Sequence, residues 1–465
     1  MNKKKTIKRL TASGALLVTL FPMAQSLVAV GGGVAHAIKP SSEYSQSAFD
    51  ADMAAYQTAK AQYDKDKAAY DTAKAKYDTD LAAYQTAKTK YDAALVKYNQ
   101  DKSVYDQKKA EYDRAMAIAE QNKGVNGWLS EPIGQQFTFH NEPNATMTIK
   151  SPVKYYTTPG GRFDDLSKAL TGTVPTLSSY EQMTSSQADA AITVGRDNTT
   201  GVPVVLKVGQ TVDVEYTNLE NTSFQGRKIT KVVYRYQILE SPDDEGLMNV
   251  VFYKDPTVTL DINAHNEIKN KDVRARLTPT YYYEDGSVVD FAANGGTALV
   301  TTGSANYDYF PRHVESVQNT DGMRFIYITG SSITDNGGVY SATSNNSWIG
   351  KPNTNGDPKW EAAEWDRFDS PHNYYGSGAF LVNKSNFSFD FVSHTYDVAQ
   401  DNNEWKGYWQ QLTTDFKGVS TPRVPTPPTP PVEPNAPTPP TPPTAPAIPV
   451  GPSSITKSVS LDDKS

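Results

Sequence analysis

Tyrosine recurs at every seventh position from Tyr56 to Tyr112, and that repeat constrains the fold more than any other feature of the chain. Tyr56, Tyr63, Tyr70, Tyr77, Tyr84, Tyr91, Tyr98, Tyr105 and Tyr112 keep strict register, with no Gly or Pro anywhere from Ser45 to Gln121. The residues between them are mostly Ala, Lys, Asp, Gln and Thr, helix-permissive and with opposite charges at helical spacing, so the segment reads as one long helix. A seven-residue repeat holds the stripe on one face of that helix. Three residues further on, the seam position is Ala59, Ala73, Ala87 and Ala94 but also Asp66, Asp80, Asp101 and Lys108, which a leucine-zipper seam would not accommodate. An ordinary homodimeric coiled coil is therefore the weaker reading. A buried tyrosine needs an apolar surface for its ring and a hydrogen-bond partner for its hydroxyl. Polyproline II offers both, because its pyrrolidine faces are apolar and its carbonyls have no internal bonds.

Such a partner lies in the same chain. From Pro422 to Pro449 the sequence is "PRVPTPPTPPVEPNAPTPPTPPTAPAIP", polyproline II by composition. Roughly 70 helical residues at about 1.5 Å each span about 105 Å, and roughly 28 polyproline residues at about 3.1 Å each span about 87 Å. The two are expected to lie side by side as a stalk, displaying whatever stands between them. What stands between is a different texture: "TVDVEYTNL", "KITKVVYRYQIL", "MNVVFYK" and "FIYITGSSIT" alternate in twos, are rich in β-branched and aromatic residues, and are separated by Gly, Asn, Asp and Pro. These runs predict strands of an all-β domain, one large sandwich with insertions.

The first residues read as a targeting segment. Lys3, Lys4, Lys5, Lys8 and Arg9 precede an apolar stretch from Ala15 to Val30, and Ala35-His36-Ala37 is a small-x-small cleavage signature. Pro22 and Gly31 to Gly33 interrupt the apolar run, against a retained membrane anchor. The mature chain is thus expected to be secreted, beginning near Ile38, with no membrane span. With no cysteine, it must be stabilised by core burial rather than disulfides. The net charge of -7 weighs against a nucleic-acid partner. The expected division is 1–37 signal peptide, 38–123 helical stalk, 124–419 β-domain, 420–452 proline-rich segment and 453–465 tail. No LPxTG-like wall-sorting motif follows the proline run, and the chain reads as truncated.

The order of Ala/Tyr-rich helix, β-domain and Pro-rich segment resembles the antigen I/II surface adhesins of Gram-positive cocci, and the β-domain is similar to their variable-region or glucan-binding protein C domain. The motifs that carry the resemblance are "LSEPIGQQFTFHNEPNATMTI" from Leu129, "VDVEYTNLENTSFQGRKITKVVYRY" from Val212, "KDPTVTLDINAH" from Lys254, "YYYEDGSVVDF" from Tyr281, "YITGSSIT" from Tyr327 and "EWDRFDSPHNYYGSGAF" from Glu364. The resemblance implies a β-supersandwich head on a helix/polyproline stalk, often with calcium near a ligand cleft. It also implies adhesion: binding of α-glucan (dextran), of a host glycoprotein or of a surface polymer on a neighbouring bacterium, leading to cell aggregation and biofilm.

Sugar recognition needs flat aromatic faces beside carboxylates and amides. The loop-like stretch "SNNSWIGKPNTNGDPKWEAAEWDRFDSPHNYYGSG" concentrates these. Its expected ligand-binding residues are Trp348, Asn353, Asn355, Trp360, Trp365, Tyr374 and Tyr375, with Trp405 and Trp409 as further cleft candidates. The bland alternative is that Trp365 and Phe368 plug the core. For calcium, Asp357, Glu361, Glu364, Asp366 and Asp369 are the candidate oxygen ligands, without EF-hand spacing; Asp243-Asp244-Glu245 reads as a solvated acidic loop. Enzymatic activity is not expected: Glu361 and Glu364 form an uninformative carboxylate pair, and no HExxH or GxSxG motif is present.

Overall fold

The computed structural model describes residues 45–151, 153–155, 201–242, 245–264, 271–308, 313–347, 360–367, 370–395 and 408–449. The expected signal peptide and tail lie outside these residues. Two compact units are present, Met1–Val96 with Pro430–Ser465, and Lys97–Thr429.

The expected helix runs unbroken over Gln46–Asn122. Its exposed surface carries a ladder of i,i+4 ion pairs, among them Lys60–Asp64, Lys67–Asp71 and Lys74–Asp78 at 2.6, 2.8 and 2.8 Å. In each the cation precedes the anion, the less favourable order against the helix dipole, so these pairs add solubility more than stability. In the first unit, Tyr56, Tyr63, Tyr70, Tyr77, Tyr84 and Tyr91 are each half-buried on a helix whose other positions are mostly exposed. The proline segment of the same unit repeats in threes. Pro431, Pro434, Pro437, Pro440, Pro443, Pro446 and Pro449 are half-buried, and both residues between successive members are exposed. Three residues per turn is the polyproline II period, so one column of the segment is covered along its length. Lys88 Nζ lies 4.0 Å from Glu433 Oε1.

The second unit is a β-sandwich. Among the described residues one sheet has eight strands, in the order Met323–Ile326, Gly378–Val382, Ala298–Gly303, Tyr408–Thr413, Leu260–Ala264, Leu247–Tyr253, Gly201–Lys207, Lys154–Tyr155. The other, again among the described residues, has eleven, built around the long antiparallel strands Arg227–Glu240 and Lys271–Tyr283. Period-two patterning explains the packing: Val232, Tyr234, Tyr236 and Ile238 turn inward and Arg235 and Gln237 outward. The register shifts where Tyr282 faces Lys231 and Tyr283 faces Ile229, a bulge that keeps both Ile229 and Val232 on the core side.

The core between the sheets is aromatic, and two of its tyrosines reach backbone carbonyls while the Tyr236 and Tyr281 hydroxyls are buried without a hydrogen-bond partner among the described residues. Tyr216 donates to the Tyr253 carbonyl and Tyr234 to the Pro256 carbonyl, each at 3.1 Å. Burial pushes both phenols up, so they stay neutral.

The two ends of this unit's chain are joined by pairing Gly134–Gln135 in parallel with Val419–Ser420. Gly134 is required there, because a Cβ would run into the Thr421 side chain. Nearby, His140 Nδ1 lies 2.5 Å from Asp415 Oδ1. The hydrogen bond to Asp415 raises His140 above the ordinary imidazole range; burial opposes the shift and the Asp415 charge adds to it. A raised folded value means that the stabilisation is complete below the unfolded value of about 6.5 and is lost as pH rises through the folded one. Thermal melting between about pH 5 and pH 8 should therefore show a decline that Asp415→Asn flattens. An unchanged profile in that variant would remove the pair from the account.

Candidate functional site

Three separate strand ends are brought together under the segment that follows Trp360. The short helix Ala362–Trp365 opens with a capping box in which the Glu361 N–H donates to Glu364 Oε2 at 2.9 Å. It delivers Trp365 into the interior at 0 % exposure, where the indole N–H donates to the Asn346 carbonyl at 2.8 Å. Tyr375 meets that ring edge-on at 5.9 Å. Gly376 lies flat against it, since a Cβ there would enter the indole. The turn Asn373–Gly376 is then stapled down. The Ala305 N–H donates to the Gly376 carbonyl at 2.9 Å, and Ser332 donates to the Tyr375 carbonyl through both its N–H and its hydroxyl, at 2.9 and 2.6 Å.

Asn346 is the keystone of this assembly. It is 1 % exposed; its Nδ2 donates to the Ala305 carbonyl at 3.0 Å and to Ser332 Oγ at 2.8 Å, and its Oδ1 accepts the Tyr307 N–H at 2.7 Å. Beside it lies an oxygen-rich nest. Asn306 Nδ2 has four acceptors around it: the Ser304 carbonyl at 3.1 Å, Ser304 Oγ at 3.4 Å, Glu315 Oε2 at 3.3 Å and Asp366 Oδ2 at 3.2 Å. An amide nitrogen carries two protons, so four oxygens compete for two donors. Glu315 is 2 % exposed and also accepts the Asn306 N–H at 2.9 Å, while Ser304 Oγ donates to Asp366 Oδ1 at 2.7 Å. Ser304 takes φ +65, a left-handed backbone that turns both its carbonyl and its hydroxyl into the nest.

At the rim, Trp360 stacks on His372 with centroids 3.6 Å apart and planes 15° from parallel, both rings half-buried. Tyr374 meets His372 edge-on at 6.4 Å, and Lys417 Nζ stands 5.8 Å from the Tyr374 ring.

These positions revise the expected site. Trp365 and Trp409 are 0 % exposed, and Tyr374 and Tyr375 are buried, so none of the four offers a face to a ligand. Each is fixed by packing, and Trp409 also by its indole donating to the Val258 carbonyl at 2.9 Å. The bland reading of Trp365 as a core plug is the one its burial supports, and Trp360 is half-buried. Glu361 and Glu364 form the capping box of the short helix. Asp366 alone of the described calcium candidates reaches the nest, with Glu315 as an acidic neighbour that the sequence reading missed. Among the described residues no group of three or more His, Asp or Glu side chains is placed to hold a metal. Trp348, Asn353, Asn355, Asp357, Phe368, Asp369 and Trp405 lie outside the described residues, as do Asp243 and Asp244.

Comparison with known proteins follows the fold. Residues 120–412 match the family model described as Glucan-binding protein C. The aggregation substance of Enterococcus faecalis (strain ATCC 700802 / V583) is 24 % identical over 232 residues, which is 48 % of this chain and 17 % of that protein. The chain thus spans only a small part of that relative's length. Among solved structures, the adhesin domain of PrgB from Enterococcus faecalis bound to DNA aligns with TM-score 0.48 and 24 % identity, over 62 % of this chain and 98 % of that one. Glucan Binding Protein C of Streptococcus mutans aligns with TM-score 0.45 and 23 % identity, over 81 % and 98 %. These relatives are named for binding and adherence rather than for catalysis. No helix among the described residues is long and apolar enough to cross a membrane.

Proposed function

Because the chain belongs to the glucan-binding protein C family, we propose that it is a secreted, surface-associated adhesin of the antigen I/II kind, whose β-head binds α-glucan and promotes cell aggregation. The observation that carries the ligand class is the rim of Trp360 and His372 beside a network of buried amides, hydroxyls and carboxylates. A half-buried aromatic pair leaves part of its apolar surface open to a sugar face, and the buried network beneath it holds the Trp360 to Asp366 segment rigid.

Calcium enters as part of this reading. Two carboxylates, a carbonyl and a hydroxyl are hard oxygen donors, the chemistry that calcium takes. Glu315, Asp366 and Ser304 are the residues proposed to hold it, in place of the Asn306 Nδ2 that those oxygens now surround. A bound ion would supply positive charge between the two acids and brace the loop that carries Trp360.

The half-buried tyrosine and proline columns support the stalk reading, in which the helix lies along the proline segment and holds the head away from the cell. A host glycoprotein or a polymer on a neighbouring bacterium remains the alternative ligand. The expectation against nucleic acid is set aside: the adhesin domain of PrgB has been solved bound to DNA, so DNA belongs in the same test. Immobilised full chain is offered dextran, single- and double-stranded DNA and glycoprotein glycans, with calcium and with chelator. The glucan reading expects dextran to be retained, and weakened severalfold by Asp366→Asn or Trp360→Ala. Retention of DNA but not dextran would replace it. Release of free sugar from dextran would contradict the non-enzymatic assignment.

A further inference from the structure

The proline segment has three columns, and only one of them is covered. Counting from Pro425 in threes to Pro449, every member is half-buried. The next column reads Thr426, Thr429, Val432, Asn435, Thr438, Thr441, Thr444, Ala447, and every member is exposed. All five threonines between Pro422 and Pro449 fall in this column, and none in the third. At about 3.1 Å rise per residue, threonines in consecutive turns stand about 9 Å apart along a single edge.

We propose that Thr426, Thr429, Thr438, Thr441 and Thr444 form a row of O-glycosylation acceptors. An acceptor hydroxyl must be reachable and uncommitted, on extended backbone that a transferase can grip. None of these five makes a hydrogen bond among the described residues, and each stands next to proline or within one residue of it. The helix threonines differ: Thr58, Thr72, Thr79, Thr86 and Thr89 each donate to the carbonyl four residues back, at 2.9 to 3.0 Å. Thr421 is the internal control. It also precedes a proline, but it is 5 % exposed and packed against Gly134.

The donor class is a nucleotide-activated sugar and the catalyst a glycosyltransferase. The threonine Oγ attacks the anomeric carbon, and the bond from that carbon to the donor's phosphate oxygen breaks. The nucleoside diphosphate leaves with the bonding pair, and the hydroxyl proton passes to a base of the transferase. Sugars on this column point away from the covered prolines, so the pairing face stays free. They would also shield a long exposed backbone from proteases.

The row goes beyond the adhesin reading and does not depend on which ligand the head binds. Its test is the intact mass and peptide map of the full chain secreted by the cells that make it. The expected result is an excess of whole hexose or N-acetylhexosamine residues on peptides carrying these threonines, with Thr421 bare. The variant with all five replaced, Thr→Val, should return to the polypeptide mass. A wild-type chain at bare polypeptide mass, or sugars confined to other threonines, would overturn the proposal. The dextran assay on the same preparations reports on the head separately.

Discussion

Replacing Trp365 with alanine is expected to destabilise the β-unit by about 3–5 kcal/mol, the usual cost of removing a fully buried large aromatic. The indole fills the space between the short helix and the turn Asn373–Gly376, and its N–H satisfies the Asn346 carbonyl. Deletion leaves a cavity and strands that carbonyl. Because Asn346 also ties the stretch from Ala305 to Tyr307 onto Ser332, the loss spreads to two further chain segments. Trp365→Phe should recover part of the packing and none of the hydrogen bond. A melting temperature for Trp365→Ala close to wild type would mean that the ring is not the plug described.

The second large effect concerns the stalk. Replacing Tyr77, Tyr84 and Tyr91 with alanine should lower helix stability by on the order of 3 kcal/mol in sum, counting about 1 kcal/mol for each half-buried ring. The sign makes this test sharp. Alanine is the better helix former, so on a helix with no partner the triple variant would gain helicity. Truncation before Pro422 should reproduce the loss, while dextran binding stays as in wild type. Increased helicity by circular dichroism in either variant would refute the pairing.

The helix and the sandwich were legible because period seven, period two and the absence of helix breakers are local properties of sequence. "KITKVVYRYQIL" announces a strand whatever surrounds it, although the bulge that keeps both Ile229 and Val232 inside depends on the partner strand. The site was legible only in part. Aromatic density marked the segment around Trp360, yet nothing in "EAAEWDRF" tells that its tryptophan faces inward, because that is decided by a close-approach glycine eleven residues later, Gly376. The nest was hidden for a different reason. Ser304 with Asn306, Glu315, and Asp366 come from three separate segments of unremarkable polar composition, and only the topology of the two sheets gathers them beside Asn346. The repeats of "GSAN", "GSS" and "SNNS" at strand ends were the available signal.

The central claim is that this head recognises α-glucan, and the most direct measurement is equilibrium binding of the full chain to dextran with calcium present. Saturable binding that Trp360→Ala or Asp366→Asn weakens severalfold, with the fold intact by circular dichroism, is the predicted result. No binding to dextran with or without calcium, by a chain that melts cooperatively, would contradict it.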